Sequence, residues 1–239
     1  FIYILVIKIK KMLNKFYKII NNKYSGLFSF LFFLRYLFAI FFISTAIFLI
    51  IPNFFNYEKR LEFVKNYLSK NYNLKIINYE TIKFKSLPLP KLELRNVDLE
   101  SEKISKQFKV ENLRLYPKIF SIYNYENFQT NKIILKNNNI SLESSELMTF
   151  IRLIVLNKRK LFLNNLNIEI TNEGKRVLKL EDLKYANFGY NKNLILGKIF
   201  EKNFKVNLDK QFKSIVFSIQ NSGINAEINF NDNKKNNKK

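Results

Sequence analysis

Side-chain catalysis near neutral pH rests chiefly on histidine and cysteine, and this 239-residue sequence contains neither. Disulfides, thiolate zinc sites and cysteine nucleophiles are thereby excluded, and the usual general base and metal ligand is missing. Carboxylate-only or Ser-Lys chemistry stays open to the 19 Asp and Glu residues, but their spacing forms no nucleophile–base pair and no ligand cluster. No catalytic residue, cofactor or metal is assigned, and the chain is read as a non-enzyme. One charge has an unusual position. Arg35 is the one charged residue in Leu27–Phe55, LFSFLFFLRYLFAIFFISTAIFLIIPNFF. A long cationic side chain near one end of such a run extends to the headgroups, so Arg35 is expected to be a membrane-interface anchor; a functional intramembrane charge is the sharper reading.

The run around Arg35 is the element that positions everything else. A helix rising about 1.5 Å per residue needs roughly 20 apolar residues to cross a hydrocarbon core, and Tyr36–Phe55 alone supplies that length. A buried helix of a soluble core is the bland alternative, but an apolar helix of this length is out of scale with the chain. The run exceeds the 7–15 residues of a signal-peptide core and lacks a small-residue cleavage site, so it reads as an uncleaved transmembrane anchor. Before it stand Lys8, Lys10, Lys11, Lys15, Lys18 and Lys23, with no acid before Glu58; after it the signs are mixed. The positive-inside rule then puts the N-terminus in the cytoplasm and the rest of the chain on the other side.

Composition divides the chain into a basic segment over 1–26, the anchor over 27–55, a β-rich domain over 56–230 and a Lys/Asn-rich tail over 231–239. Residues 1–11 precede Met12 and are expected to lie outside the native start; the tail reads as a solvated end or as a cut in a longer protein. The formal charge of +22 raises nucleic acid as a partner. Because the lysines are scattered and form no stripe with stacking aromatics, that partner is set aside in favour of anionic lipid.

Beyond the anchor, Leu61, Val64 and Leu68 recur at helical spacing and predict a helix over Tyr57–Asn71. From Leu74 the period becomes two. Ile82/Phe84, Leu92/Leu94, Val97/Leu99, Phe108/Val110, Leu113/Leu115, Ile133/Leu135, Ile140/Leu142, Leu166/Ile168/Ile170, Phe204/Val206/Leu208 and Ile224/Ala226/Ile228/Phe230 alternate with polar residues. The phase slips at Arg95-Asn96, which predicts a bulge or twist. Asn137-Asn138-Asn139, Asn172-Glu173-Gly174 and Ser222-Gly223 read as breaks between strands. A second helix is predicted over Ser145–Leu156, capped by Ser144 or Ser145. The fold class is therefore a transmembrane α-helix followed by a mainly-β (α+β) domain, an antiparallel sheet of eight to eleven strands with one or two short helices. Its apolar faces close on each other in a sandwich, or they line an open groove for an apolar ligand.

Ile82-Lys83-Phe84-Lys85-Ser86-Leu87-Pro88-Leu89-Pro90-Lys91-Leu92-Glu93-Leu94-Arg95-Asn96-Val97 is a strand, a Pro-containing connection and a second strand just after a helix. With the anchor, it resembles the N-terminal region of the AsmA family of Gram-negative envelope proteins, whose pattern here is LPxPxLxLxNV. Phe108–Leu115 followed by Tyr116-Pro117-Lys118-Ile119-Phe120-Ser121, and then Lys132–Leu135, are similar to the family's next segments. The likeness covers roughly residues 27–140. The family commonly has Thr-Gly after the first helix, where Asn71-Tyr72-Asn73 stands here.

This resemblance implies a single-pass protein of the bacterial inner membrane, with its β-rich domain in the periplasm and a role in outer-membrane biogenesis. Phospholipid bound or moved along an apolar β-groove is the function it implies, membrane lipids and envelope assembly proteins being the partners. Candidate lipid-facing residues are Leu92, Leu94, Val97, Leu99, Ile224, Ala226, Ile228 and Phe230, which serve equally well as an ordinary core. Two alternatives stand beside it: an LptC-like lipopolysaccharide-transport accessory, and an assembly scaffold that binds proteins through exposed sheet edges.

Overall fold

The computed structural model describes residues 2–101, 104, 106–209 and 213–229. The chain forms two compact units, residues 1–51 and 52–239. In the first, α1 (Ile2–Ile50) is one uninterrupted helix of 49 residues. Within it and the short 3-10 turn that follows, Ser29–Phe54 is long and apolar enough to cross a membrane; its apolar window is not buried by protein, and Pro52 in the turn is buried. The helical backbone also runs back through the lysine-bearing segment to Ile2. Arg35 is exposed near the N-terminal edge of the apolar stretch.

The second unit begins with α2 (Tyr57–Tyr72). Asn56 caps its start by accepting a hydrogen bond from the Lys59 amide at 3.1 Å, and Asn73 ends it in the left-handed conformation. The strands follow as β1 (Leu74–Asn78), β2 (Thr81–Lys85), β3 (Lys91–Ser101), β4 (Lys106–Pro117) and β5 (Thr130–Glu143). Then come α3 (Ser144–Val155), β6 (Leu161–Asn172), β7 (Lys175–Ala186), β8 (Leu194–Ile199), β9 (Lys202–Leu208), β10 (Ser214–Ile219) and β11 (Asn225–Asn229). All eleven belong to one sheet, ordered β1-β3-β4-β5-β6-β7-β8-β9-β10-β11, with β2 also paired to β3. Of the two arrangements open to the sequence, the single open sheet is the one formed, and no second sheet faces it among the described residues.

Neighbours pair antiparallel except β5 and β6, which run parallel. A parallel pair cannot be joined by a hairpin and needs a crossover; α3 is that crossover. Its N-cap is Glu143, not Ser144 or Ser145 as the sequence suggested. Glu143 and Glu146 form a reciprocal capping box, with the Glu143 amide donating to Glu146 Oε2 at 2.9 Å. A carboxylate at both positions also suits the positive end of the helix dipole.

Asn137–Asn139 is not a break. β5 passes straight through it. Asn137 has φ +53°, and buried positions change parity there, from Ile133 and Leu135 to Asn138, Ile140 and Leu142. The same flip occurs at Asn96 (φ +46°) in β3, at Asn165 (φ +60°) in β6 and at Asp182 (φ +53°) in β7. Pairing of β3 with β4, β4 with β5 and β5 with β6 keeps its register through the flip. It is therefore a crease running across the sheet, not one inserted residue. Asn and Asp occupy it because they enter the left-handed region at less cost than other residues with a Cβ. Their side chains knit the polar face: Asn165 to Asn137 at 2.9 Å, Asn137 to Glu111 at 2.5 Å, and the Asp182 amide to Asn167 at 3.1 Å.

One apolar face results, covered unequally. Over β2 to β5 lies α2, with Leu61, Val64, Tyr67, Leu68 and Tyr72 buried beneath it. Tyr57 stacks on Phe84 at 5.5 Å, the Tyr67 hydroxyl accepts from the Thr130 amide at 3.1 Å, and the Tyr72 hydroxyl reaches Thr130 and the Lys160 carbonyl. Leu92, Leu94, Val97, Leu99, Leu113 and Leu115 beneath are completely inaccessible. On the polar face Glu93 is buried between Lys85 and Arg114, with Arg114 Nη2 at 3.1 Å and Asn112 Nδ2 at 2.6 Å. Burial works against its charge, but the hydrogen bonds from Lys85 and Asn112 and the nearby cations outweigh that and hold its carboxyl down at about 2.

Candidate functional site

Past β5 the apolar face continues and the cover thins. A helix of 16 residues is about 24 Å long and crosses about five strands at about 4.8 Å each, so α2 is used up on the first half of the sheet. The second half has only α3. The amphipathic α3 turns Phe150 and Ile154 fully inward, and its Leu147, Met148 and Ile151 are partly buried.

Between α3 and strands β6 to β11 this leaves a trough of about 300 Å³. Its floor is Leu163, Leu166, Ile168 and Ile170 of β6, Leu178, Leu180, Leu183 and Tyr185 of β7, and Ile195 and Ile199 of β8. Phe204, Val206 and Leu208 of β9, Ile215 and Phe217 of β10 and Ile228 of β11 extend it, with α3 along the other side. The surface it presents is wholly apolar. Such a cavity can hold hydrocarbon and exclude water. A volume of this size is at the lower end of small-molecule sites.

Two residues shape the floor. Gly197 of β8 leaves room that a Cβ would take, since that atom would stand 2.6 Å from Leu183 Cδ2 and 3.0 Å from the Phe204 ring. Among the described wall residues, Tyr185 alone carries a hydroxyl. The oxygen is buried without a hydrogen-bond partner, and burial pushes its pKa up. At the α2 side the trough adjoins a small cavity of about 20 Å³, sharing Phe150, Ile154, Leu163 and Leu166 with it. Asn138 and Ser101 line that cavity with unpartnered polar atoms, and it has room for about one water.

Comparison with models of known protein families and with curated proteins finds no match.

The candidate lipid-facing residues fall into two groups. Leu92, Leu94, Val97 and Leu99 lie on the same sheet face as the trough, but under α2, at zero exposure and outside the trough wall. Ile224 precedes β11; in β11, Ala226 pairs with Phe217 and Ile228 with Ile215, which puts these two on the trough face. Ile228 is part of the wall; Ile224 and Ile228 are half exposed at the open margin. Phe230 lies outside the described residues. Of the remaining wall, Leu166, Ile168 and Ile170 of β6 and Phe204, Val206 and Leu208 of β9 were read from the sequence as alternating strands and α3 as a helix, whereas the wall residues of β7, β8 and β10 were not singled out. What singles them out is the shortness of α2, a length the helical spacing over Tyr57–Asn71 already implied.

Proposed function

We propose that the chain is a membrane-anchored lipid-handling protein of the cell envelope, which takes phospholipid acyl chains into the trough between α3 and β6–β11. The single observation that carries this reading is that the trough is apolar over its whole surface, open, and joined in one chain to a segment fit to cross a membrane. An unfilled apolar trough of this kind exposes to water what the hydrophobic effect would bury, by about 25 cal/mol for every Å², and an acyl chain removes that cost. The charge asymmetry around Leu27–Phe55 supports a cytoplasmic N-terminus, with the β-rich unit on the far side. The resemblance of residues 27–140 to the AsmA family supports the bacterial inner membrane, the periplasm and outer-membrane biogenesis as its setting. No catalytic step is assigned to it.

The test is native mass spectrometry and lipid extraction of the full chain, purified in a detergent that is then exchanged for a lipid-free amphipol. Phospholipid should remain bound to the wild type and be lost from a Val206→Glu, Phe217→Glu double variant, whose sites are only partly buried. Equal lipid in both variants sinks the reading.

A second reading has one observation of its own. β11 is exposed at every residue and is the last strand of the sheet, its outer edge unpaired among the described residues, and such an edge suits strand addition by a protein partner. Capture of such a partner, abolished by a proline in β11 and unaffected by Val206→Glu, would favour it.

A further inference from the structure

The strand register gathers three loops at one end of the β-rich unit. The β2–β3 connection (residues 86–90) follows the pair Lys85 and Lys91, and the β4–β5 connection (118–129) follows the pair Pro117 and Thr130. Because Leu92 pairs with Leu115, both connections are at the same end of β3 and β4. The residues before β6 (156–160) join them, since Ile133 of β5 is level with Leu161 and its amide bonds the Lys160 carbonyl at 3.0 Å.

The tips of these loops are apolar and bare. Leu87 is 72 % exposed, Leu89 57 %, Ile119 60 %, Phe120 88 % and Leu156 58 %. Adjacent loops rarely all present large apolar residues to water without a partner surface. Their charged residues are Lys118, Lys158, Arg159 and Lys160 against one acid, Glu126. Three connections at the opposite end, 173–174, 200–201 and 220–224, contain Glu173 and Glu201, no basic residue, and Phe200 and Ile224 as their large apolar side chains.

Residues at the C-terminal end of the apolar stretch are fixed among the same loops. Asn53 Nδ2 donates to Ser86 Oγ at 2.7 Å, and Phe55 meets Tyr123 edge-on at 5.7 Å. Arg60, in the first turn of α2, holds its guanidinium 4.0 Å from the Phe55 ring centre and 4.7 Å from that of Tyr125. These contacts fasten the start of α2 to the 118–129 loop.

We infer that this end of the β-rich unit is a membrane-docking surface: Leu87, Leu89, Ile119, Phe120 and Leu156 enter the headgroup–acyl boundary, and Lys118, Lys158, Arg159 and Lys160 meet anionic phosphate. Apolar side chains flanked by cations are the combination that settles at a bilayer interface. The docking is argued from the loops and goes beyond the reading of Ser29–Phe54 as a membrane span; it depends on neither that span nor the trough. It gives the anchored unit a second attachment, which holds the 86–90, 118–129 and 156–160 loops at the lipid surface.

The chain has no cysteine, so single probes are clean. Leu89→Cys, Phe120→Cys, Ile43→Cys and, at the opposite end, Ser222→Cys are labelled with an environment-sensitive fluorophore in the full chain. Each is reconstituted into vesicles of phosphatidylethanolamine and phosphatidylglycerol, or of phosphatidylcholine alone, with spin-labelled lipid as quencher. Quenching at 89 and 120 should exceed that at 222 severalfold in the anionic vesicles, and should fall when Lys158, Arg159 and Lys160 are changed to Gln. Quenching at 43 with none at 89 and 120 overturns the docking and leaves the span intact. Blue-shifted emission at 89 and 120 without lipid quenching places them in a protein interface and overturns it too. Quenching at 89 and 120 with none at 43 supports the docking and removes the span.

Discussion

Asn165 donates its side-chain amide to Oδ1 of Asn137 at 2.9 Å, across the parallel pair β5–β6, and both residues have positive φ. Each holds its own strand in the crease, and the hydrogen bond ties the two bends together. Replacing Asn165 by Gly should cost little in backbone terms and lose only this bond. Valine keeps the Cβ, branches it and must still adopt the left-handed conformation, at about 1–2 kcal/mol. Urea unfolding of the full chain in micelles should therefore rank wild type, Asn165→Gly and Asn165→Val in falling stability; a valine variant as stable as the glycine variant contradicts this account of the crease.

Glu93 sets an acid limit on the unit. Its folded carboxyl titrates at about 2, against 4.5 for the ordinary group, so the unfolded chain takes up the proton first as pH falls. The stabilisation from the Lys85–Glu93–Arg114 cluster is complete above the ordinary value and drains away as pH drops from 4.5 toward about 2. Glu93→Gln should lower stability at pH 7 by about 2 kcal/mol and flatten the pH dependence in that window. Chemical denaturation across roughly pH 2.5 to 7 reads both effects.

Gly197→Ala tests the trough from behind its wall. The added Cβ would press on Leu183 and Phe204, both of which line the trough, so these side chains must move into it. Overpacking of this type costs about 1–3 kcal/mol. Bound lipid, measured by extraction, should fall while the far-ultraviolet spectrum stays that of the wild type. Undiminished lipid would mean that the wall yields outward instead.

Tyr185 offers the opposite sign. Its hydroxyl is buried without a partner, a desolvation cost of about 1–3 kcal/mol. Tyr185→Phe keeps the ring and removes that burden, so the variant should be at least as stable as wild type and gain up to about 1 kcal/mol. A clear loss of stability in the thermal midpoint would show that the hydroxyl has a partner after all.

Much of the architecture follows from residues that are neighbours in sequence. Hydropathy over Leu27–Phe55 marks a segment able to cross a membrane, and Leu61, Val64 and Leu68 mark α2, because helical and extended backbones each repeat within a few residues. The slip at Arg95-Asn96 announces the crease for the same reason. Its continuation did not announce itself: Asn137–Asn139 looks like a turn in composition, and only pairing with β4 and β6 keeps β5 extended through it. Composition states that Asn tolerates φ above zero; it does not state whether the chain reverses or merely bends.

The division of the apolar face was decided in three dimensions. Leu92, Leu94, Val97 and Leu99 have the same alternation as Leu166, Ile168 and Ile170, yet the first set is sealed under α2 and the second forms part of the trough floor. Alternation records only that one side of a strand avoids water. What covers that side depends on contacts such as Tyr67 with Thr130, 63 residues apart, and on α2 being too short to span an eleven-stranded sheet. Apolar patterning is local and so was written in the sequence, whereas cover is a matter of area and reach, which exists only once the strands have been laid side by side.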